Sequence, residues 1–201
     1  MEFVVVIVGA LLIAGAVKYA ADRMLSGEDR KTAARQDAII QGAEKTAGLV
    51  QQAESSDFVR RLGEINIKVE ELGAYGAKLV GLENEKSPAE DTPGEHIVLN
   101  LRWKNTGKKV IRCVTFATAF LSPDGKIICP DALDPDPWIQ QFGCAAAVKF
   151  TGHFGQGQGR MQKDMRNPFL LYHAPVEKAV ILGVRVEYDD GEMREKTVLQ
   201  G

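Results

Sequence analysis

The sequence predicts an N-terminal transmembrane helix and a helical stalk, followed by an all-β antiparallel sandwich. Three observations support this fold class. An apolar run occupies the N-terminus, a polar stretch rich in helix-forming residues follows it, and short β-rich runs separated by turn residues make up the remainder. The expected divisions are residues 1–22 for the transmembrane helix, 23–75 for the stalk and 76–201 for the β-domain.

The first segment contains no polar side chain from Phe3 to Val17, and Tyr19 to Ala21 extend it beyond Lys18. At about 1.5 Å of rise per residue, a helix of this length approaches the ~30 Å hydrocarbon core of a bilayer. Lys18 can extend its amine toward the headgroups. The segment is therefore expected to cross a membrane once.

Two alternatives to a spanning helix stay open. A cleavable signal peptide has small residues before its cleavage site, as in Ala14-Gly15-Ala16, but it also has a basic start, which this chain lacks. A buried core helix is the second alternative, although such helices usually carry a polar stripe. The orientation follows from charge, because the nearby basic residues all come after the run: Lys18, Arg23, Arg30, Lys31 and Arg35. This asymmetry predicts a single-pass cell-membrane protein with a cytoplasmic C-terminal domain; a periplasmic or extracellular domain is the alternative.

The stalk is predicted from residues 28–62, which lack proline and are rich in Ala, Gln, Glu, Arg and Lys. Apolar residues recur there at spacings of three and four: Ile40, Ala43, Ala47, Val50 and Ala53. A solvated spacer helix explains this narrow stripe, and a coiled coil that forms a homo-oligomer through residues 28–72 is the functional alternative. Residues 64–72 fit either a strand or a heptad, and we expect helix as far as Leu72.

Beyond Gly76 the pattern changes to short strands. The candidates are Ala77–Glu83, His96–Trp103, Val110–Leu121, Ile127–Cys129, Ala145–Thr151, Val180–Tyr188 and Met193–Leu199. Turn residues separate them, and Asp189-Asp190-Gly191 between the last two is a strong hairpin indicator. About seven short strands with turns between them are typical of an antiparallel sandwich.

Two stretches of this region resemble immunoglobulin-like β-sandwich domains of bacterial membrane-anchored proteins and lipoproteins. Leu99–Gly125 has an apolar strand, an Asn-x-Gly-Lys turn and an alternating strand that ends at Asp-Gly, and Val184–Glu192 is similar to the closing hairpin of that group. Thr151–Gly157 matches a further turn of the group without its two prolines. The resemblance covers Ala77–Gln200. It implies a binding or spacer module without shared catalytic residues.

Composition limits the partners. The formal net charge is −2 and the sequence pI is about 6.0, whereas a nucleic-acid binder needs a clustered cationic face. No nucleic-acid partner is expected; the expected partners are the lipid bilayer and a protein whose identity the sequence does not give. The three cysteines (Cys113, Cys129 and Cys144) form no metal-ligand spacing. Free thiols in a reducing compartment are the expected state, and a Cys129–Cys144 disulfide in an oxidising compartment is the alternative.

Three further patterns could indicate phosphate or metal binding, but a structural role explains each of them better. Gly152–Gly159 lacks the Gly-Lys-Ser/Thr ending of a phosphate loop and is interpreted as an inter-strand loop. Asp131, Asp134 and Asp136 could approach one cation, but the prolines among them favour a rigid surface loop. The three histidines (His96, His153 and His173) have no ligand partner at a recognised spacing. No catalytic, cofactor-binding or metal-binding residue and no cofactor is therefore predicted.

Aromatic residues fall into two groups. Trp103, Phe116, Phe120, Phe150 and Tyr188 lie at expected core positions of the sandwich. A second group lies in loop-like context and is expected to cover one end of the core, with an exposed partner-binding patch as the alternative: Trp138, Phe142, Phe169, Leu170 and Tyr172. The sequence thus predicts a membrane-anchored, non-enzymatic interaction or structural protein. A membrane-assembled oligomeric effector that perturbs the bilayer, and a secreted or periplasmic binding domain, are the alternatives.

Overall fold

The fold is described from a computed structural model, which covers residues 27–78, 95–130, 134–162, 171–172 and 176–200. The expected transmembrane helix, residues 1–22, lies outside these ranges. Within them, no helix is both long enough and apolar enough to cross a membrane. The chain divides into two compact units, Met1–Ile40 and Gln41–Gly201.

The N-terminal part of the described chain is helical. Helix α1 runs from Gly27 to Ser55, and a short helix α2 (Phe58–Arg61) leads into a 3₁₀ turn at Leu62–Ile65. From residue 32 to residue 40 the side chains of α1 are exposed, except that of Ile39, which is half-buried. Those from Gln41 onward belong to the second unit, where Leu49 and Val50 enter the same hydrophobic core as the strands.

Two antiparallel sheets make up most of the second unit. The strands are β1 (Ile67–Lys78), β2 (Glu95–Asn105), β3 (Ile111–Leu121), β4 (Ile127–Ile128), β5 (Ala146–Phe154), β6 (Gly159–Gln162), β7 (Leu171–Tyr172), β8 (Lys178–Tyr188) and β9 (Met193–Thr197). The first sheet has the order β1-β2-β6, with β7 also paired to β2. In the second sheet β3 pairs with β8 along one edge and with β5 and β4 along the other, and β9 pairs with β8.

Aromatic side chains join the two sheets. Trp103 of the first sheet contacts Phe116, Phe150 and Phe154 of the second, at ring-centroid distances of 6.2, 5.6 and 5.0 Å. Each of these side chains is at most 5% exposed. The sheets therefore pack face to face, as in a β-sandwich. The expected core positions (Trp103, Phe116, Phe120, Phe150 and Tyr188) are all buried, which confirms that prediction.

The helix expected through Leu72 is wrong from Ile67 onward. Asn66 adopts a left-handed backbone (φ 60°) that ends the 3₁₀ turn, and β1 begins directly after it. Ile67 then pairs with Asn105, and Leu72 pairs with Leu101. Pairing with β2 buries Ile67 in the core, and this tertiary contact outweighs a local pattern that fits helix and strand equally.

The other strand predictions agree with the structure to within a few residues where it describes them. Of Ala77–Glu83, only Ala77 and Lys78 are described, and they close β1. Two short strands, β6 and β7, were not predicted. Both pair with β2, so their formation depends on a neighbour that is distant in the sequence.

Truncating the tryptophan between the sheets tests the sandwich core. We expect Trp103→Ala to lower the free energy of unfolding by about 3–5 kcal/mol, because it removes a fully buried ring and leaves a cavity. Urea denaturation followed by circular dichroism measures the change. Met193→Ala is the control, since Met193 is 67% exposed; equal effects of the two substitutions would contradict the packing.

Candidate functional site

A disulfide joins Cys129 to Cys144, with their Cα atoms 4.9 Å apart. The free-thiol expectation is therefore wrong for these two residues and holds for Cys113, which is buried and outside any disulfide. The bond closes the segment between β4 and β5. This segment, which we call the disulfide loop (residues 129–144), carries helix α3 (Pro137–Gln140).

The disulfide loop covers the outer face of the second sheet. Phe142 is fully buried, and its ring lies so close to Gly183 of β8 that a Cβ atom there would stand 2.6 Å from Phe142 Cζ. Ile139 is also fully buried, and Trp138 is half-buried with its ring 5.2 Å from that of Phe142. Trp138 and Phe142 thus cover the core, although over the outer face of the second sheet rather than at the expected end. Phe169 and Leu170 lie outside the described residues, and the side chain of Tyr172 is not described.

Helix α1 is fastened to this loop by one buried threonine. The hydroxyl of Thr46 accepts a hydrogen bond from the backbone N–H of Cys144 at 2.8 Å. Its single proton can be donated to the carbonyl of Phe142 or to that of Gly42, each at 2.7 Å. Thr46 is fully buried, so these bonds satisfy polar groups that water does not reach.

Two glycines allow this close approach. A Cβ atom on Gly42 of α1 would stand 3.1 Å from Cys144 Sγ, and one on Gly143 would stand 2.6 Å from Thr46 Oγ1. Gly143 also has a φ of 72°, which favours glycine. We call Gly42, Thr46, Phe142, Gly143 and Cys144 the helix clasp. Sequence reasoning missed it; the stripe predicted on α1 did not include Gly42 or Thr46.

Beside the clasp lies an open groove of about 510 Å³. One wall is α1, and the other is formed by the β3–β4 turn and the start of β8. The lining is apolar at Ala47, Val50, Leu121, Pro123 and Ile127, and charged at Glu54, Glu177 and Lys178. Lys178 forms an ion pair with Glu54 across the groove. We call this depression the helix groove. Its lining is thus an apolar surface with charged side chains beside it.

The carboxylates that were weighed as cation ligands and interpreted as part of a rigid surface loop have structural roles where they are described. Asp134 Oδ1 accepts from the backbone N–H of Asp136, and Asp136 Oδ1 accepts from that of Trp138, which caps α3. Asp136 also pairs with Arg185 at 2.5 Å, and Arg185 lies 4.7 Å from the centre of the Trp138 ring. Burial raises the pKa of Asp136, but these bonds outweigh it and the pKa lies below its usual value.

Asp131 lies outside the described residues. Within the described ranges, no three His, Cys, Asp or Glu side chains come close enough to hold a metal ion. His153 is exposed and stands 3.1 Å from Asp189, His173 is outside the described residues, and the side chain of His96 is not described. The loop expected at Gly152–Gly159 is shorter in the structure: β5 extends to Phe154, β6 begins at Gly159, and only residues 155–158 connect the two strands.

The two turns that carried the immunoglobulin-like resemblance meet at one end of the sandwich. Asn105 is fully buried there, and its amide donates to the carbonyls of Lys109 and Phe154 at 2.8 and 2.9 Å. Its Oδ1 accepts from the N–H of Gly107 at 2.8 Å. Lys109 then reaches the closing hairpin, where it pairs with Asp190 at 2.6 Å and with Glu192. We call this region the hairpin end.

These ion pairs shift the ionisation of the hairpin end. The hydrogen bond from Lys109 holds the pKa of Asp190 below its usual value, and the hydrogen bonds from Lys109 and Arg194 do the same for Glu192. In return, Asp190 and Glu192 raise the pKa of Lys109. All three side chains are substantially exposed, so solvent screens the pairs and each stabilises the fold only modestly.

Comparison with protein-family models, with curated proteins and with solved structures finds no match to this chain.

Removing Lys109 tests the electrostatics of the hairpin end. In Lys109→Met, the pKa values of Asp190 and Glu192 should rise toward their usual values, because the cation that stabilises their charged forms is gone. A carboxylate with a lowered pKa stabilises the fold above its unfolded-state pKa of about 4, and this contribution is lost as the pH falls through its folded-state pKa. The stability difference between wild type and variant should therefore be larger at neutral pH than near pH 2.

Carboxyl carbon NMR across a pH titration measures both pKa values, and urea denaturation at each pH measures stability. Lys108→Met is the matched control, since it removes the same charge from the adjacent exposed position. Equal pKa changes in the two variants would mean that the specific pairs do not cause the shifts.

Proposed function

We propose that this chain is a membrane-anchored, non-enzymatic interaction or structural protein. Residues 1–22 span the membrane once, and the β-sandwich is an immunoglobulin-like domain that binds a protein partner. The apolar run Phe3–Val17 supports the anchor. The two antiparallel sheets, together with the turns that meet at the hairpin end, support the immunoglobulin-like assignment.

The observation that carries the proposal is the way α1 enters the domain. The helix runs without interruption from Gly27 to Ser55, and its last part is held by the helix clasp and by Leu49 and Val50 in the core. From Gln41 onward this helix is part of the folded domain, so the chain that leads toward an anchor leaves the sandwich from a helix that the domain holds.

The helix groove is the proposed surface for the partner. It combines apolar walls with the charged side chains of Glu54, Glu177 and Lys178. A protein segment with one or two apolar side chains and a flanking cation complements this lining. If the chain also forms a homo-oligomer through its helix, residues 32–40 are the exposed part of α1 that would carry the contact, since Ile40 is 57% exposed.

The disulfide indicates on which side of the membrane the β-domain lies. Cys129–Cys144 favours an oxidising compartment for the domain, because disulfides persist outside the cytoplasm and are rare within it. The charge flank after the apolar run favours the opposite orientation. We give the disulfide more weight and propose a periplasmic or extracellular domain, since a covalent bond in the folded domain constrains the compartment more directly than flanking charges constrain insertion.

The anchor is tested by membrane fractionation. The full chain should stay with membranes after an alkaline carbonate wash, and the chain without residues 1–22 should be released, because only the apolar run is long enough to hold it there. Ile7→Arg with Leu11→Arg should weaken retention, whereas Ile7→Val with Leu11→Val is the matched control. N-terminal sequencing completes the test: a mature start near Val17 would overturn the anchored proposal in favour of the secreted alternative.

Reporter fusions at the C-terminus test the orientation. A reporter that is active only outside the cytoplasm should be active when fused after residue 201, and one that fluoresces only in the cytoplasm should be dark. The opposite pattern would refute the proposed orientation and restore the cytoplasmic expectation. For the bilayer-perturbing effector, crosslinking in membranes should instead give a discrete oligomer that Gly9→Leu abolishes, since small residues permit close helix packing.

A further inference from the structure

We propose that the Cys129–Cys144 disulfide is a site of thiol–disulfide exchange, and that its reduction releases the Gln41–Thr46 turn of α1 from the sandwich. The disulfide and the helix clasp share a residue, Cys144, which is bonded to Cys129 and also donates its backbone N–H to Thr46. The sulfur that the disulfide uses and the N–H that holds the helix therefore belong to the same residue. This inference does not depend on the membrane anchor.

The two cysteine residues differ in burial. Cys144 is fully buried against α1, whereas Cys129 is half-buried. We therefore place the attack of the incoming thiolate at Cys129. The reductant is a dithiol, either a small molecule or a protein with two neighbouring cysteines.

The exchange takes two steps. A thiolate of the dithiol bonds to Cys129 Sγ, the Cys129–Cys144 bond breaks, and its electron pair goes to Cys144 Sγ, which takes up a proton. The second thiolate of the dithiol then attacks its own first sulfur, closes the reductant's disulfide and expels Cys129 as a thiolate that is protonated in turn. Two electrons and two protons pass in total from the dithiol to the protein.

Cys144 Sγ lies directly against Gly42 of α1. A Cβ atom on Gly42 would stand only 3.1 Å from Cys144 Sγ, so the sulfur fits there because residue 42 has no side chain. Two separate thiols need more room than one bonded pair, since non-bonded atoms keep van der Waals separation. Either cysteine can move to provide this separation, and the release of α1 follows from the movement of Cys144.

Movement at Cys144 breaks the clasp. Thr46 bonds to the backbone on both sides of Gly143, at Phe142 O and at Cys144 N. Once these bonds lengthen, the carbonyl of Phe142 and the N–H of Cys144 lose Thr46 as a partner, whereas the Thr46 hydroxyl can still donate to Gly42. A buried unsatisfied group is costly. Opening this turn to water restores their hydrogen bonds.

The release is local because the rest of the helix has its own attachments. Leu49 and Val50 lie in the hydrophobic core, and Glu54 pairs with Lys178. In the oxidised protein α1 is docked from Gly42 onward, and in the reduced protein it is docked from about Leu49. The disulfide thereby sets how much of the helix is held by the domain.

Hydrogen–deuterium exchange on the full chain tests the proposal, with dithiothreitol as the reductant. Reduction should raise exchange of the amides in residues 41–47 by at least about tenfold while β3 and β8 keep their protection. Unchanged exchange in residues 41–47 would overturn the proposal. Loss of protection throughout the sandwich would also overturn it, because the disulfide would then support the whole fold rather than one turn of helix.

A variant separates the clasp from the disulfide. Thr46→Val keeps the side-chain shape and removes the hydroxyl, so the oxidised variant should show the exchange of the reduced wild type in residues 41–47. Thr46→Ser keeps the hydroxyl and should stay protected until reduced. Cys113→Ser should respond to reduction as the wild type does. Protection of residues 41–47 in oxidised Thr46→Val equal to that in the wild type would show that the clasp does not hold the helix, and the proposal would fail.

Discussion

The packing of Trp103 against the aromatic residues of the facing sheet is the contact on which the rest of the structure depends. Its ring lies against Phe116, Phe150 and Phe154, and so brings β2 of one sheet against β3 and β5 of the other. Aromatic side chains bury more apolar area than other residues, and here they do so at the centre of the sandwich. The hydrogen bonds at the hairpin end then close the sandwich around this core, because Asn105 is two residues away on the same strand.

The second sheet also needs a covering layer on its outer face, which the packing between the two sheets does not provide. Nearly every residue of β3 is buried, including Ala117, which pairs with Gly183 on the outer face. A strand buried on both faces needs a covering layer on each. The disulfide loop supplies that layer with Phe142, and the helix clasp holds α1 against the loop. The part of α1 from Gln41 onward, the disulfide loop and the second sheet therefore pack together, and this packing is the route by which we expect a redox change at Cys144 to reach the helix.

Local chemistry accounts for the elements that were predicted well. The alternation in β2, β3 and β8 and the turn residues after Tyr188 specify strands and a hairpin without any knowledge of their neighbours. The burial of Trp103 and Tyr188 could also be predicted locally, since large aromatic side chains at inward-facing strand positions bury their apolar area in the core. The strand at Ile67–Lys78 could not be separated from a helix, because its apolar spacing fits both and only pairing with β2 decides between them.

By itself the sequence determined that this is a largely β protein with a helix before it, because periodicity and turn chemistry act over a few residues. The apolar N-terminal run and the aromatic core positions can also be identified from the sequence alone. Only the tertiary structure decided that α1 is part of the domain from Gln41 onward and that Cys129 is bonded to Cys144. Thr46 and Phe142 are far apart in the sequence, and a glycine or threonine within a helix has no local property that identifies a distant partner.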